Sequence, residues 1–370
     1  MITPDQYQTV SNLLLIWFEA NKRPLPWREH YTPYHVWVSE IMLQQTQMER
    51  GVAYFTRWMQ ELPDVSSVAN AHEDFLLKLW EGLGYYSRVR NLHKAAKVIA
   101  TEHGGIFPED YAAIRALPGI GDYTAGAIAS IAFNQDVICV DANVERVFAR
   151  LFDIDTPVKQ KHNMEFIRKT VTAMLPAGHA REFNQALMEF GALLCSKKPK
   201  CHLCPLNLFC EAYHLGIPHE RPVPVAKKEI KNITVATGFL VHNGKVYIQK
   251  RPETGVWAGF WELPGGSVEK DETPEEAVIR EFMEETEFPV RIHDKITIVK
   301  HGYTTYRVTM HCYFLTLAQE HSPEPVLHAA TAYRWVTMDE LDEVTLPAGH
   351  RKLLDHLQTD LRLAPLLENS

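Results

Sequence analysis

The chain is patterned in two different ways. Over residues 1–212, apolar residues return at helical spacing in "YQTVSNLLLIWFEA", "HVWVSEIMLQQTQMERGVAYFTRWM", "EDFLLKLWEGL" and "NVERVFARLF", and strand-like alternation is nearly absent. From residue 232 the period changes. "NITVATGFLVHNGKVYIQKR" alternates on either side of an Asn-Gly pair, which predicts a hairpin. "TTYRVTMHCYFLTL" is also strand-like. "TPEEAVIREFMEE" predicts a helix that starts at Thr273 with Glu276 as its capping-box partner. Between the two patterns, residues 213–231 carry three prolines and several charges and predict a linker. The expected fold is therefore a mostly helical first domain (1–212), a linker (213–231) and an α+β second domain (232–365).

Composition changes this picture only through its distribution. The 46% hydrophobic and 23% charged residues are those of an ordinary globular protein. The first residues lack a secretory leader pattern, and no apolar run approaches membrane-spanning length. This predicts a cytosolic chain that makes no membrane contact. The net charge is −8, but residues 1–231 hold 25 Lys+Arg and 25 Asp+Glu, while residues 232–370 hold 13 and 21. All the excess acidity belongs to the second domain. The first is neutral with basic clusters such as "SKKPK", which permits nucleic-acid binding if those groups share a face.

Three stretches of the first domain carry chemistry. In "LPGIGDYTAG" (117–126), Gly119 and Gly121 allow positive φ, leave backbone N–H groups open to a phosphate, and sit at the mouth of a helix. A helix–turn–helix corner with capping glycines fits the same residues. Twenty residues beyond Gly121, Asp141 follows a short apolar segment and occupies a helix N-cap position. Glu40 interrupts the apolar run "HVWVSEIML", where a charged residue without a task is unusual. Finally, Cys195, Cys201, Cys204 and Cys210 fall in sixteen residues with spacing C-x5-C-x2-C-x5-C. In a cytosolic chain this predicts a metal centre rather than disulfides, and a zinc site would more often supply two C-x2-C pairs. Cys139 and Cys312 lack such partners and read as core residues.

The Leu-Pro-Gly-x-Gly stretch followed at this distance by Asp141 resembles the helix-hairpin-helix superfamily of DNA glycosylases. "LPWREHYTPYHVWVSEIMLQQTQ" (25–47) and "WEGLGYYSRVRNLHKAA" (80–96) are similar to the adenine DNA glycosylase branch. The resemblance implies an all-α helix-hairpin-helix domain whose cysteine loop (195–210) holds a [4Fe–4S] cluster. It implies a bacterial, nucleoid-associated, monomeric enzyme that acts on double-stranded DNA and removes adenine opposite 8-oxoguanine or guanine. Glu40 would protonate the base and Asp141 would stabilise the sugar cation. Asn143 would orient the carboxylates and Tyr123 would support Asp141. Bifunctional members carry a lysine at the position of Tyr123, and a phenol cannot form their imine, so base removal without strand cleavage is expected. Trp27, Arg28 and Glu189 match positions near the adenine pocket. Leu43, Gln44, Gln45 and Tyr85 match residues that enter the duplex and probe the opposite base.

In the second domain Gly266, Glu272, Arg280, Glu281, Glu284 and Glu285 resemble the Nudix box, with Glu287 where a glycine is usual. In this family such a domain recognises 8-oxoguanine, and Tyr303 and Thr304 fall at the lesion-reading loop. Glu281, Glu284 and Glu285 lie at i, i+3 and i+4 on one helix face, a spacing able to share Mg²⁺.

Overall fold

The computed structural model describes residues 2–225, 229–303, 305–318 and 324–369. It divides into two compact units, one of Met1–Leu79 with Ser87–Ala226, the other of Trp80–Tyr86 with Lys227–Ser370.

Helices α1 (Tyr7–Asn21), α2 (Pro33–Leu43), α3 (Met48–Glu61), α4 (Val65–Asn70), α5 (Glu73–Trp80), α6 (Ser87–Glu102), α7 (Tyr111–Ala116), α8 (Asp122–Ala127), α9 (Ala142–Leu151), α10 (Lys161–Met174), α11 (Ala180–Leu193) and α12 (Glu211–His214) build the helical unit. Its core joins Val10, Leu14 and Phe18 of α1 to Val147 and Phe148 of α9, Ile167 and Val171 of α10, and Phe183 and Phe190 of α11. Each such side chain contributes roughly 1.5–3 kcal/mol by leaving water. Two arrangements matter for the site. Helix α2 is buried almost all round, so Glu40 is carried into the interior by Val36, Trp37, Val38, Ile41 and Met42. Helix α8 continues into a π-helical turn over Ile128–Ala132, a widening that recurs at functional sites.

The stretch "HVWVSEIMLQQTQMERGVAYFTRWM" does not run as one helix. It breaks between Leu43 and Met48, where Gln45 adopts a left-handed φ of 59°. The stretch expected as a linker also begins later than its composition indicates. Arg150 donates to the carbonyls of Pro218 and Arg221, and Arg221 pairs with Asp153 at 2.8 Å, so the chain is tied to the helical unit through residue 221.

The second unit is a mixed sheet: β1 (Lys231–His242), β2 (Lys245–Lys250), β3 (Trp261–Glu262), β4 (Gly265–Ser267), β5 (Val290–Tyr303), β6 (Tyr306–Leu317) and β7 (Ala332–Val336). The main order is β3-β2-β1-β6-β5, with β4 on β1 and β7 on β2. The β1–β2 turn is the expected Asn243-Gly244 pair, both residues at positive φ. Strand β1 runs parallel to β6 from Lys231↔Tyr306 to Leu240↔Leu315. Helix α13 (Pro274–Thr286) starts with the expected Thr273–Glu276 capping box. It packs Ala277, Val278 and Phe282 against Leu240, Tyr247 and Tyr313. Three further helices, α14 (Met338–Glu343), α15 (Ala348–Leu357) and α16 (Leu363–Asn369), contribute Leu341, Leu353, Leu354 and Leu366 to a second core with Phe239, Val241 and Phe314. Among the described residues no helix is long and apolar enough to cross a membrane.

Candidate active site

A cleft of about 630 Å³ in the helical unit gathers residues from α2, α8, α9, α11 and the segment before α2. Glu40 and Tyr123 meet at its wall, where the Tyr123 hydroxyl donates to Glu40 Oε2 at 2.5 Å and also lies 3.4 Å from Met188 Sδ. Tyr123, expected to support Asp141, lines the same cleft as Asp141 and makes its hydrogen bond to Glu40. Burial raises the Glu40 carboxyl to about 7, and the charge of Asp141 adds to the rise, while the Tyr123 bond and the Arg28 charge oppose it. At neutral pH this group stands near half-protonation, the condition for a general acid.

Asp141 is the N-cap of α9, as its sequence position predicts. Its Oδ1 accepts the backbone N–H groups of Asn143 (2.9 Å) and Val144 (2.8 Å), and its Oδ2 accepts the Asn143 amide at 2.6 Å. Burial raises this carboxyl too, but these donors and Arg146 work against the rise. All three hydrogen bonds come from N–H groups and point at an acceptor, so they stabilise the carboxylate form against the rise that burial causes. Two carboxyl groups in one cleft thus sit in different hydrogen-bonding environments. Asn143 is itself fixed, because Arg146 Nη2 donates to its Oδ1 at 2.8 Å and to the Gly191 carbonyl at 2.7 Å.

At the other end of the cleft Glu189 is held by two arginines. Arg23 donates through its backbone N, Nε and Nη2 at 3.0, 2.8 and 2.7 Å, and Arg28 through both terminal nitrogens at 3.2 Å. Burial alone would raise Glu189; the hydrogen bonds from Arg23 and Arg28 overcome it and bring it down to about 2. Arg28 also donates to Gln185 at 3.0 Å, and Trp27 packs edge-on against Phe55. Arg23 and Gln185 were not among the expected site residues. The available signal was the pair of arginines flanking "PLPW", both of which converge on Glu189.

Leu43 packs against Gly51, and Gln44 and Gln45 form the turn after α2 at the cleft edge. In the hairpin only Gly119 uses positive φ (74°); Gly121 has φ −90° and serves as the N-cap of α8. Tyr85 is partly exposed at φ 49°. Tyr303 ends β5, opposite Tyr306, and Thr304 lies outside the described residues.

The four cysteines of the loop line one cavity together with Arg150, whose Nη1 reaches Cys195 Sγ at 3.3 Å. All are unpaired thiols. Among the described residues no three His, Cys, Asp or Glu side chains are gathered for a single metal ion. The four thiols nonetheless share one cavity, and four cysteine thiolates are a ligand set known for iron–sulfur clusters. Nor are Glu281, Glu284 and Glu285, expected to share Mg²⁺, gathered around one ion position among the described residues. Glu281 and Glu284 are paired with Arg280 at 3.0 and 3.1 Å, and Arg280 also holds Glu272 at 2.8 Å. Glu285 turns inward to Gln249 (3.0 Å) and the Gly265 N–H (3.3 Å), where burial and the nearby Glu262 raise it to about 7. The helical spacing put the three glutamates on one face, but Arg280 and burial separate their tasks.

The chain is similar to known proteins over both units. Residues 38–173 match the family described as the HhH-GPD superfamily of base excision DNA repair proteins, and residues 236–356 match the NUDIX domain. An adenine DNA glycosylase of Buchnera aphidicola subsp. Baizongia pistaciae is 37% identical over 270 residues, which is 71% of this chain and 74% of that protein. The adenine DNA glycosylase of Mus musculus is 30% identical over 93% of this chain and 78% of its own length. Among solved structures, a thermostable thymine-DNA glycosylase superposes with a TM-score of 0.52 at 27% identity, covering 57% of this chain and 98% of its own. A trapped endonuclease III–DNA covalent intermediate has the same fold, with a TM-score of 0.51 at 22% identity over 58% of this chain and 99% of its own.

Proposed function

This chain belongs to the adenine DNA glycosylase family and is an adenine DNA N-glycosylase of base excision repair; from that premise we propose that it excises adenine paired with 8-oxoguanine or guanine, using Glu40 as the acid and Asp141 as the anion. The observation that carries this reading is the part-buried Tyr123–Glu40 pair in one cleft with an amide-capped Asp141.

The steps follow from the two carboxyl environments. The target adenine leaves the stack and enters the cleft. Protonated Glu40 gives its proton to N7, and the C1′–N9 bond breaks with its electron pair passing to the base. The sugar develops oxocarbenium character, as in glycoside hydrolysis with two carboxyl groups. Asp141, fixed by two backbone amides and Asn143, faces that cation as an anion. Water then adds to C1′ and loses its proton to a carboxylate. Tyr123 offers no amine, so the strand is not cut through an imine. Glu189, kept anionic by Arg23 and Arg28, supplies a charged wall to the base pocket.

Cys195, Cys201, Cys204 and Cys210 would hold a [4Fe–4S] cluster, which when bound supplies a rigid tie across the loop and one-electron chemistry. The chain's own residues link that loop to the site. Arg146 Nε donates to the Cys195 carbonyl at 2.9 Å, while its Nη2 holds Asn143. The second unit would read the opposite base, with Tyr303 and Thr304 as the reading residues.

Duplexes carrying adenine opposite 8-oxoguanine, guanine, cytosine or thymine test the specificity. After incubation, alkali cleaves any abasic site. Strand breaks with 8-oxoguanine and guanine, and few with cytosine, are expected. Equal excision opposite all four bases would overturn the mispair assignment.

A further inference from the structure

Helix α2 carries Glu40 and ends in the Gln44–Gln45 turn, so whatever fixes its last turn sets the aim of both. The final carbonyls of a helix have no partner within it. Here a single side chain takes three of the carbonyls at this end. Arg88, the second residue of α6, directs Nη1 to the oxygens of Ile41 (2.8 Å), Met42 (3.3 Å) and Gln44 (2.7 Å). A cation there also matches the negative end of the α2 dipole. The turn beyond is strained. Gln45 sits at φ 59°, a left-handed conformation that a non-glycine residue keeps only when its surroundings impose it. The Thr46 N–H closes the turn on the Leu43 carbonyl at 3.2 Å.

The same first turn of α6 reaches the DNA-gripping hairpin. Asn91, three residues after Arg88 and so on the same helix face, lies directly against Gly119; a Cβ on Gly119 would come within 2.4 Å of Asn91 Cβ. One helical turn therefore braces two loops, the Gln44–Gln45 turn through Arg88 and the hairpin through Asn91.

We propose that Arg88 is a positioning residue for reading the opposite base: by holding the Ile41, Met42 and Gln44 carbonyls it fixes the Gln44–Gln45 turn relative to the hairpin that registers the DNA backbone. This rests on the proposed role of Gln44 and Gln45 as residues that probe the base opposite adenine. Arg88 touches neither carboxyl group of the site, so its loss acts on the aim of the turn and leaves the acid chemistry in place.

The test uses the full chain and its Arg88→Ala, Arg88→Lys and Arg88→Gln variants. Single-turnover excision is measured on duplexes with adenine opposite 8-oxoguanine, guanine and cytosine. Arg88→Ala is expected to cut the preference for 8-oxoguanine over cytosine by about tenfold or more, the scale of loss that follows from small misplacements of a positioning group. Arg88→Lys is expected to regain part of it, because it restores the charge without the planar fork. The alkaline limb of the rate–pH profile should stay where it is in the wild type. An equal loss on all three duplexes, with the preference unchanged, would mark a general structural role and overturn the proposal. If circular dichroism finds Arg88→Ala unfolded, the pair Arg88→Lys and Arg88→Gln decides: both with wild-type preference overturns it, whereas a preference kept by Lys and lost by Gln supports it. A wild-type enzyme with no opposite-base preference removes the underlying reading and this inference with it. A wild-type preference that every variant retains removes the inference alone.

Discussion

The hydroxyl of Tyr123 and the carboxyl of Glu40, 83 positions apart in the chain, share a hydrogen bond at the wall of the cleft that also holds Asp141. This bond stabilises the anion of Glu40 and so moderates the rise that burial causes. The rate of adenine release should therefore fall as pH passes upward through about 7, where Glu40 loses its proton. In Tyr123→Phe that moderating bond is gone, and the alkaline limb should move to higher pH. Single-turnover rates measured across neutral pH check this. A limb that stays fixed or moves down would mean that Glu40 is not the titrating acid.

The same burial makes Glu40 a source of pH-dependent stability. Its folded value, about 7, lies above the ordinary 4.5, so the folded state binds the proton more tightly than the unfolded chain does. The associated stability is complete below pH 4.5 and is lost as pH rises through 7. Glu40→Gln removes the titration along with the acid. The variant should be inactive, bind DNA normally, and gain roughly 2–3 kcal/mol over wild type at pH 8 relative to the difference at low pH. Denaturant titrations of both proteins at pH 5 and pH 8 give the comparison, and a pH-independent difference would contradict it.

These two residues also mark how far the sequence could be read. Glu40 stood out because a charge inside "HVWVSEIML" has no amphipathic excuse, and Asp141 because capping is a local property. The Asn243-Gly244 hairpin and the Thr273–Glu276 box are local in the same sense, and each forms as its residues predict. What escaped the sequence depends on distant partners. Tyr123 bonds Glu40; Arg23 meets Glu189 across 166 positions; Arg280 pairs with Glu281 and Glu284. The break at Gln44–Gln45 was hidden because apolar periodicity continues through it, and its stabiliser, Arg88, lies more than forty residues on.

Close packing of α11 on α9 yields a prediction for a residue with no side chain. A Cβ on Gly191 would lie 2.7 Å from Asn143 Cβ and 2.9 Å from its carbonyl oxygen. Gly191→Ala must therefore push Asn143 off Asp141. The single-turnover rate should drop by about ten- to a hundredfold, with little change in DNA affinity, because the loss falls on the group that faces the developing cation. A wild-type rate in a folded Gly191→Ala protein would show that Asn143 does not hold Asp141 for catalysis.

In the second unit Glu287 occupies the left-handed position that ends α13, with φ 57° and its N–H bonded to the Met283 carbonyl. A residue with a Cβ pays steric strain there that glycine avoids. Its contact to His328 Nε2 at 2.8 Å joins two half-exposed groups and is worth little. Glycine also loses more freedom on folding, which returns part of the gain. The balance favours Glu287→Gly by roughly 0.5–1 kcal/mol, provided the N–H bond that caps α13 persists. Hydrogen exchange of the amides in α13 reads this locally: slower exchange in the variant is expected, and faster exchange would mean that the His328 contact outweighs the backbone strain.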